Sequence, residues 1–154
     1  MGKSLIDIAK EVIQTESDSV LLLKDRIDQN FIDVCHTLKS CMGKVVLIGM
    51  GKSGHIAKKI SSTLASTGTP AFYLHPGEAG HGDLGMVSHD DVVIMISYSG
   101  ESDEIISLLP GIKRMNVPII SMTGNANSSI ASSSDFHLNV SVDKEACPHN
   151  LAPT

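Results

Sequence analysis

The chain has 154 residues, enough for one domain with a sizeable core, and its 42% hydrophobic and 19% charged residues are an ordinary globular balance with no low-complexity segment. A net charge of −5 with no basic stripe argues against a nucleic-acid partner, and 3% aromatics leave little surface for base stacking. No apolar run approaches the roughly 20 residues of a membrane span, and the amphipathic opening MGKSLIDIAKEV lacks the apolar core of a signal peptide.

Residues 4–41 read as helical. Leu5, Ile8, Val12, Val20, Leu23, Ile27, Phe31, Val34 and Leu38 recur at spacings of three and four, which keeps them on one face. Glu16 interrupts that face, and residues 28–30 are a candidate break. A long leading helix either covers a sheet or pairs with another subunit, and the pattern leaves both open. Cys35, Cys41 and Cys147 are odd in number and lack CxxC spacing, so they read as free thiols of a cytoplasmic protein.

The period then changes. Residues 44–48 (KVVLI) form an all-apolar run suited to a buried strand. Gly49-Met50-Gly51-Lys52-Ser53-Gly54 and a helix to about Ser66 follow, and Gly68-Thr69-Pro70 ends that helix. Residues 71–74 make a short strand, and 75–86 a Gly-rich segment with two histidines. Residues 92–96 (VVIMI) are a central buried strand that empties into the polar loop 97–102, SYSGES. A helix over about 103–113 follows, bent or ended by Pro110. Residues 117–122 are a fourth strand, 128–132 a short helix and 136–142 a fifth strand. Strands alternating with helices give right-handed βαβ units. The expected fold is therefore α/β: a doubly wound, flavodoxin-like, five-stranded parallel sheet with helices on both faces. Ligands in such sheets sit at the carboxyl ends of the strands, near the switch point.

Two motifs mislead. Gly49, Gly51 and Gly54 match the dinucleotide fingerprint, but the second strand ends Tyr73-Leu74-His75 without the acid that would hold a ribose. Gly51-Lys52-Ser53 resembles the end of a Walker A loop, but position 46 is Val where the motif needs glycine.

The topology instead brings Lys52, His75, Glu78, His81, Asp83, Ser97, Ser99, Ser102 and Glu104 to one sheet edge. Hydroxyls and free N–H groups at a helix start suit a phosphomonoester, and a carboxylate, a histidine and a lysine beside them can move protons. Each residue also has a structural reading. Ser102 caps the following helix, Lys52 faces solvent, Glu104 favours the positive helix end, and His81 caps its loop. His75/Glu78 and His81/Asp83 are an incomplete metal set. His36, His55, His89, His137 and His149 read as structural or surface residues.

Four stretches, GMGKSGHIAKK, STGTPAFYLHPGEAGHGDLG, ISYSGESDEI and KEACPHNLAPT, together resemble the bacterial arabinose-5-phosphate isomerases of the sugar isomerase (SIS) superfamily, over about residues 43–154. HPGEAGHGDLG is the most specific of them. The resemblance implies interconversion of ribulose 5-phosphate and arabinose 5-phosphate, the first step toward the Kdo sugar of lipopolysaccharide. It implies a cytoplasmic tetramer, no cofactor, a sugar phosphate as the small-molecule partner, and active sites at subunit interfaces. Carried over by motif, the catalytic lysine falls on Lys52, the catalytic carboxylate on Glu104, a second functional acid on Glu145 and a substrate-contacting histidine on His81. Phosphosugar contacts fall on Ser53, Gly68, Thr69, Ser97, Ser99 and Ser102, and the histidine at which relatives carry a zinc, not required for activity, falls on His75. Spacing alone does not single out Glu145. The division implied is a helical segment, 1–42, packing on the domain or a partner subunit, and an SIS domain, 43–154. In the family the LAPT segment continues into a Ser/Thr-rich loop and further helices with a His-Pro-Gly-Gly motif whose histidine is catalytic, and most relatives also carry paired CBS domains. The chain stops short of these and is expected to be a fragment or a reduced protein. The alternatives are a phosphosugar-sensing domain without catalysis, or an isomerase of another phosphosugar such as a heptose or hexulose phosphate.

Overall fold

A computed structural model of the chain describes residues 3–149 and 151. The last part of the KEACPHNLAPT motif, 152–154, and residue 150 lie outside the described residues. The chain divides into two units, 29–140 and 1–28 together with 141–154.

The larger unit is a five-stranded parallel sheet: β1 (Val45–Gly49), β2 (Ala71–Leu74), β3 (Val92–Ile96), β4 (Ile119–Thr123) and β5 (Phe136–Asn139). Their order is β2-β1-β3-β4-β5, the doubly wound, flavodoxin-like order, with its switch point between β1 and β3. The strands with the longest apolar runs, β1 and β3, are buried along their whole lengths, as strands covered on both faces must be. Alternation along β1 divides the core. Val45 and Leu47 pack with Val34, Ala57, Val92 and Ile94 on one face. Val46 and Ile48 pack with Val93, Met95, Ile105, Ile112 and Ile130 on the other.

The helices of this unit are α2 (Gln29–Lys39), α3 (Gly51–Ser66), α4 (Pro76–Gly80), α5 (Asp103–Ile106), α6 (Leu109–Arg114) and α7 (Ser129–Ser132); α1 (Leu5–Leu22) belongs to the other unit. α2 and α3 supply the first face, and α4 to α7 the second. The leading helix does break, but earlier than the expected 28–30: a 3-10 turn, Leu23–Arg26, ends α1, and α2 already starts at Gln29. The 75–86 segment is more regular than its glycines suggest, holding α4 and a 3-10 turn, Asp83–Met86. Pro76 takes the first turn of α4, where the missing N–H costs nothing. The helix after β3 is split into α5 and α6, with Pro110 in the first turn of α6. The fourth strand starts at Ile119, after Pro118, which lacks an N–H, and the fifth ends at Asn139.

In the smaller unit no residue of α1 is buried. Glu11 there accepts from Lys3 Nζ at 2.5 Å and lies 4.0 Å from Lys144 Nζ. No described helix is long and apolar enough to cross a membrane.

Candidate active site

Parallel register levels the strand ends. Ile48 pairs with Leu74, Gly49 with Ile96, and Ile96 with Met122. The segments after β1, β2, β3 and β4 therefore leave the sheet at one height, roughly 5 Å apart.

The glycine loop after β1 is shaped by close packing. A Cβ on Gly49 would stand 2.8 Å from Ser53 O, and one on Gly54 would stand 2.8 Å from both Gly49 O and the Tyr73 hydroxyl. Gly51 sits at φ 54°, left-handed backbone that favours glycine. Tyr73 donates to Gly49 O at 2.9 Å, and burial pushes its phenol pKa up. Lys52 and Ser53 thus fall in the first turn of α3, with Lys52 exposed and Ser53 half-buried.

The serine loop after β3 is shaped by hydrogen bonds. Ser97 is buried, and its hydroxyl accepts from Gly100 N at 3.2 Å and lies 2.9 Å from Ser102 Oγ. Ser102 stands at the N-cap of α5, yet its side chain makes no capping bond. Of the two roles open to Ser102, its hydroxyl faces Ser97 rather than the helix, which leaves the first N–H groups of α5 uncapped by it. Ser99 Oγ accepts from Glu101 N at 3.2 Å. Glu104 is exposed in the first turn of α5, and α4 packs against α5. The histidine segment is thereby a neighbour of the carboxylate-bearing helix. Among the described residues neither Lys52 nor Glu104 has an intrachain side-chain hydrogen bond or ion pair.

His81 follows α4 as its C-cap; its backbone N–H donates to Glu78 O at 3.0 Å, and its ring is exposed. His75 is the N-cap of α4, and its Nδ1 accepts from Gly77 N at 3.1 Å. With that nitrogen occupied, only Nε2 is left to bind a metal. Among the described residues no group of three or more His, Cys, Asp or Glu side chains is placed to hold one. The described residues by themselves do not fit a zinc site.

Two expected contacts stand elsewhere. Gly68, at φ 97°, and Thr69, whose N–H donates to Leu64 O at 2.9 Å, end α3 and lead through Pro70 into β2. They lie at the amino edge of the sheet, the length of a 16-residue helix (about 24 Å) from Lys52. Glu145 is half-buried in the smaller unit, in a stretch without regular structure.

The segment after β4 was not expected at the site, yet it abuts the serine loop. Gly124 N donates to Tyr98 O at 2.8 Å and Ile130 N to Gly100 O at 3.1 Å. Ser129 N donates to Glu101 Oε1 at 2.7 Å. A Cβ on Gly100, at φ 68°, would stand 2.0 Å from Ser128 Oγ. Thr123 Oγ1 anchors this segment, lying 2.8 Å from Asn125 O and 2.9 Å from His137 Nε2. The one visible trace in the sequence is the hydroxyl pair Ser128-Ser129 ahead of a short apolar run, a helix start.

This arrangement, a parallel sheet with a hydroxyl-lined loop after its third strand, defines a doubly wound α/β domain with a polar loop at the carboxyl edge of its sheet. Residues 38–154 match the SIS domain family, to which the chain belongs. It is 57% identical over 145 residues to the arabinose 5-phosphate isomerase KdsD of Escherichia coli K12, covering 94% of this chain and 44% of that one. The Pseudomonas aeruginosa protein of the same name is 52% identical over 149 residues, 97% of this chain and 46% of that one. The chain thus spans less than half the length of these curated relatives. A structure of Escherichia coli CFT073 c3406 in complex with arabinose 5-phosphate superposes with a TM-score of 0.92 at 46% identity, covering 100% of this chain and 82% of that one.

Proposed function

We propose that the chain is the isomerase domain of an enzyme that interconverts D-arabinose 5-phosphate and D-ribulose 5-phosphate through an enediol(ate). One observation carries the reading. The Ser97–Ser102 hydroxyl pair and the uncapped start of α5 leave the sheet beside the unpaired Lys52 and Glu104, from strands in register at Gly49 and Ile96. A phosphate on the serine loop would hold the opened sugar against both. The high identity to the KdsD proteins and the fold shared with the arabinose 5-phosphate complex support this substrate.

Glu104 would take the proton from C2 of the aldose and return it to C1, while a proton passes from O2 to O1 to leave the ketose. Lys52 would steady the oxyanion that develops between these transfers. Electrons and atoms balance within the sugar, so the chemistry calls for no redox cofactor. His81 would orient a hydroxyl or assist ring opening, and Ser53 and Ser99 would add contacts to the phosphate. Gly68, Thr69 and Glu145 would serve a site built by more than one copy. α1 supports a homo-oligomer, a tetramer in this reading, because Leu5, Ile6, Ile13 and Val20 on it are at least 66% exposed. The same reading places the enzyme in the cytoplasm, toward Kdo and lipopolysaccharide.

The test is solvent-deuterium incorporation into C1 or C2 when the chain is incubated with arabinose 5-phosphate. Incorporation with ribulose 5-phosphate formation is expected. Binding of the sugar phosphate without incorporation, in a protein of the relatives' full length that carries this domain, would overturn the isomerase reading in favour of a sensing domain.

A further inference from the structure

Two glutamates flank the start of α5, Glu101 and Glu104, and the sequence singles out only Glu104 as a candidate base. The structure separates them. We propose that Glu101 is a positioning residue that fixes the serine loop by accepting the Ser129 N–H, and that it takes no part in proton transfer. The proposal rests on the reading of this loop as the phosphate site.

Three N–H groups of the segment after β4 reach the serine loop. Two find backbone oxygens, of Tyr98 and Gly100. The third, Ser129 N, finds the Glu101 carboxylate at 2.7 Å, the shortest of the three and the one made by a side chain. Glu101 is also held through its backbone, which donates to Ser99 Oγ at 3.2 Å. It therefore ties the loop at two points, between the two hydroxyls, Ser99 and Ser102, that face the expected phosphate. The N–H of Ser129, with help from its hydroxyl, holds the Glu101 carboxyl below the usual carboxylate range. A carboxylate stabilised in its charged form is a weaker base, the opposite of what a proton shuttle needs. Glu104, three residues on, has no such partner among the described residues.

The bond can be cut from either end. Glu101→Ala removes the acceptor and Glu101→Gln keeps one. Ser129→Pro removes the donor without touching the loop, because Ser129 is the first residue of α7, where proline is well tolerated. Ser128 ahead of it already has the extended backbone, φ −68° and ψ 160°, that a residue before proline prefers. The readouts are calorimetric affinity for inorganic phosphate and for arabinose 5-phosphate, with KM and kcat. Glu101→Ala and Ser129→Pro should each weaken affinity about fivefold for an exposed charge-assisted bond. kcat should stay within about twofold. Glu101→Gln should stay near wild type, and the double variant should be no worse than either single one, since both delete one bond. Ser129→Pro carries the test if Glu101→Ala fails to fold. Unchanged affinity in Ser129→Pro, or a collapse of kcat in Glu101→Gln, would overturn the proposal. If the wild-type chain binds arabinose 5-phosphate without turnover, the affinities still judge Glu101, and the isomerase reading is judged on this domain within a protein of its relatives' full length. If it binds neither probe, both fall.

Discussion

The two loops that frame the site hold their shapes by different means. The glycine loop is set by what it lacks: Gly49 and Gly54 let strand and helix backbones approach to distances that any side chain would block. Its candidate catalytic side chain, Lys52, bears none of that structure. In the serine loop the candidate functional hydroxyls are themselves structural, because Ser97 and Ser99 both accept backbone N–H groups. A loop built on side-chain hydrogen bonds is pre-organised for an anion but cannot change a hydroxyl without changing its shape. A loop built on packing can exchange its functional residue freely.

The contrast is sharpest in turnover. Lys52→Met and Glu104→Gln should each lower kcat by about 10²- to 10⁴-fold. Their urea midpoints should match wild type, since neither side chain supports its loop. A midpoint shift in Lys52→Met would break the distinction between the loops. Next is Gly100→Ala. Its Cβ would overlap Ser128 in a left-handed backbone, so a loss of about 3 kcal/mol in urea unfolding, with lost phosphate affinity, is expected. Gly54→Ala meets a fixed carbonyl and a movable tyrosine hydroxyl and should cost about 2 kcal/mol. Phosphate affinity should survive that change; if it does not, the loops are coupled. The smallest effect appears in acid. Asp91 is 1% exposed. Burial would raise its pKa, but the N–H groups of Ser88 and Lys44 at 2.8 and 2.7 Å, with the Lys44 ammonium, bring it below the usual range. A depressed carboxyl stabilises the fold above its unfolded pKa of about 4 and loses that contribution as pH falls through the folded value. Urea midpoints should therefore fall from about pH 4 downward, and Asp91→Asn should flatten that limb. An unchanged limb would remove Asp91 from the account.

The sheet was legible in the sequence because strands buried on both faces are short uninterrupted apolar runs. VVLI and VVIMI admit few other readings, and βαβ alternation then fixes which loops share an edge. Lys52, Ser97, Ser102 and Glu104 followed from that topology. Glu101 did not. Beside Glu104 it is one more carboxylate, and what distinguishes it is an N–H 28 positions along the chain. Gly68 and Thr69 show the converse. A motif groups residues along the chain, while α3 carries them to the far edge of the sheet, so nearness in sequence does not become nearness in this fold.

The strand order sets how the site breathes. β1 and β3 are paired on both sides and covered on both faces, so their amides should be among the slowest to exchange with solvent. β2 is an edge strand, and its exit carries His75 and His81. Local opening there lies at lower free energy than opening of the strands that present Lys52 and the serines. The fold thus joins two anchored central strands to a more yielding edge.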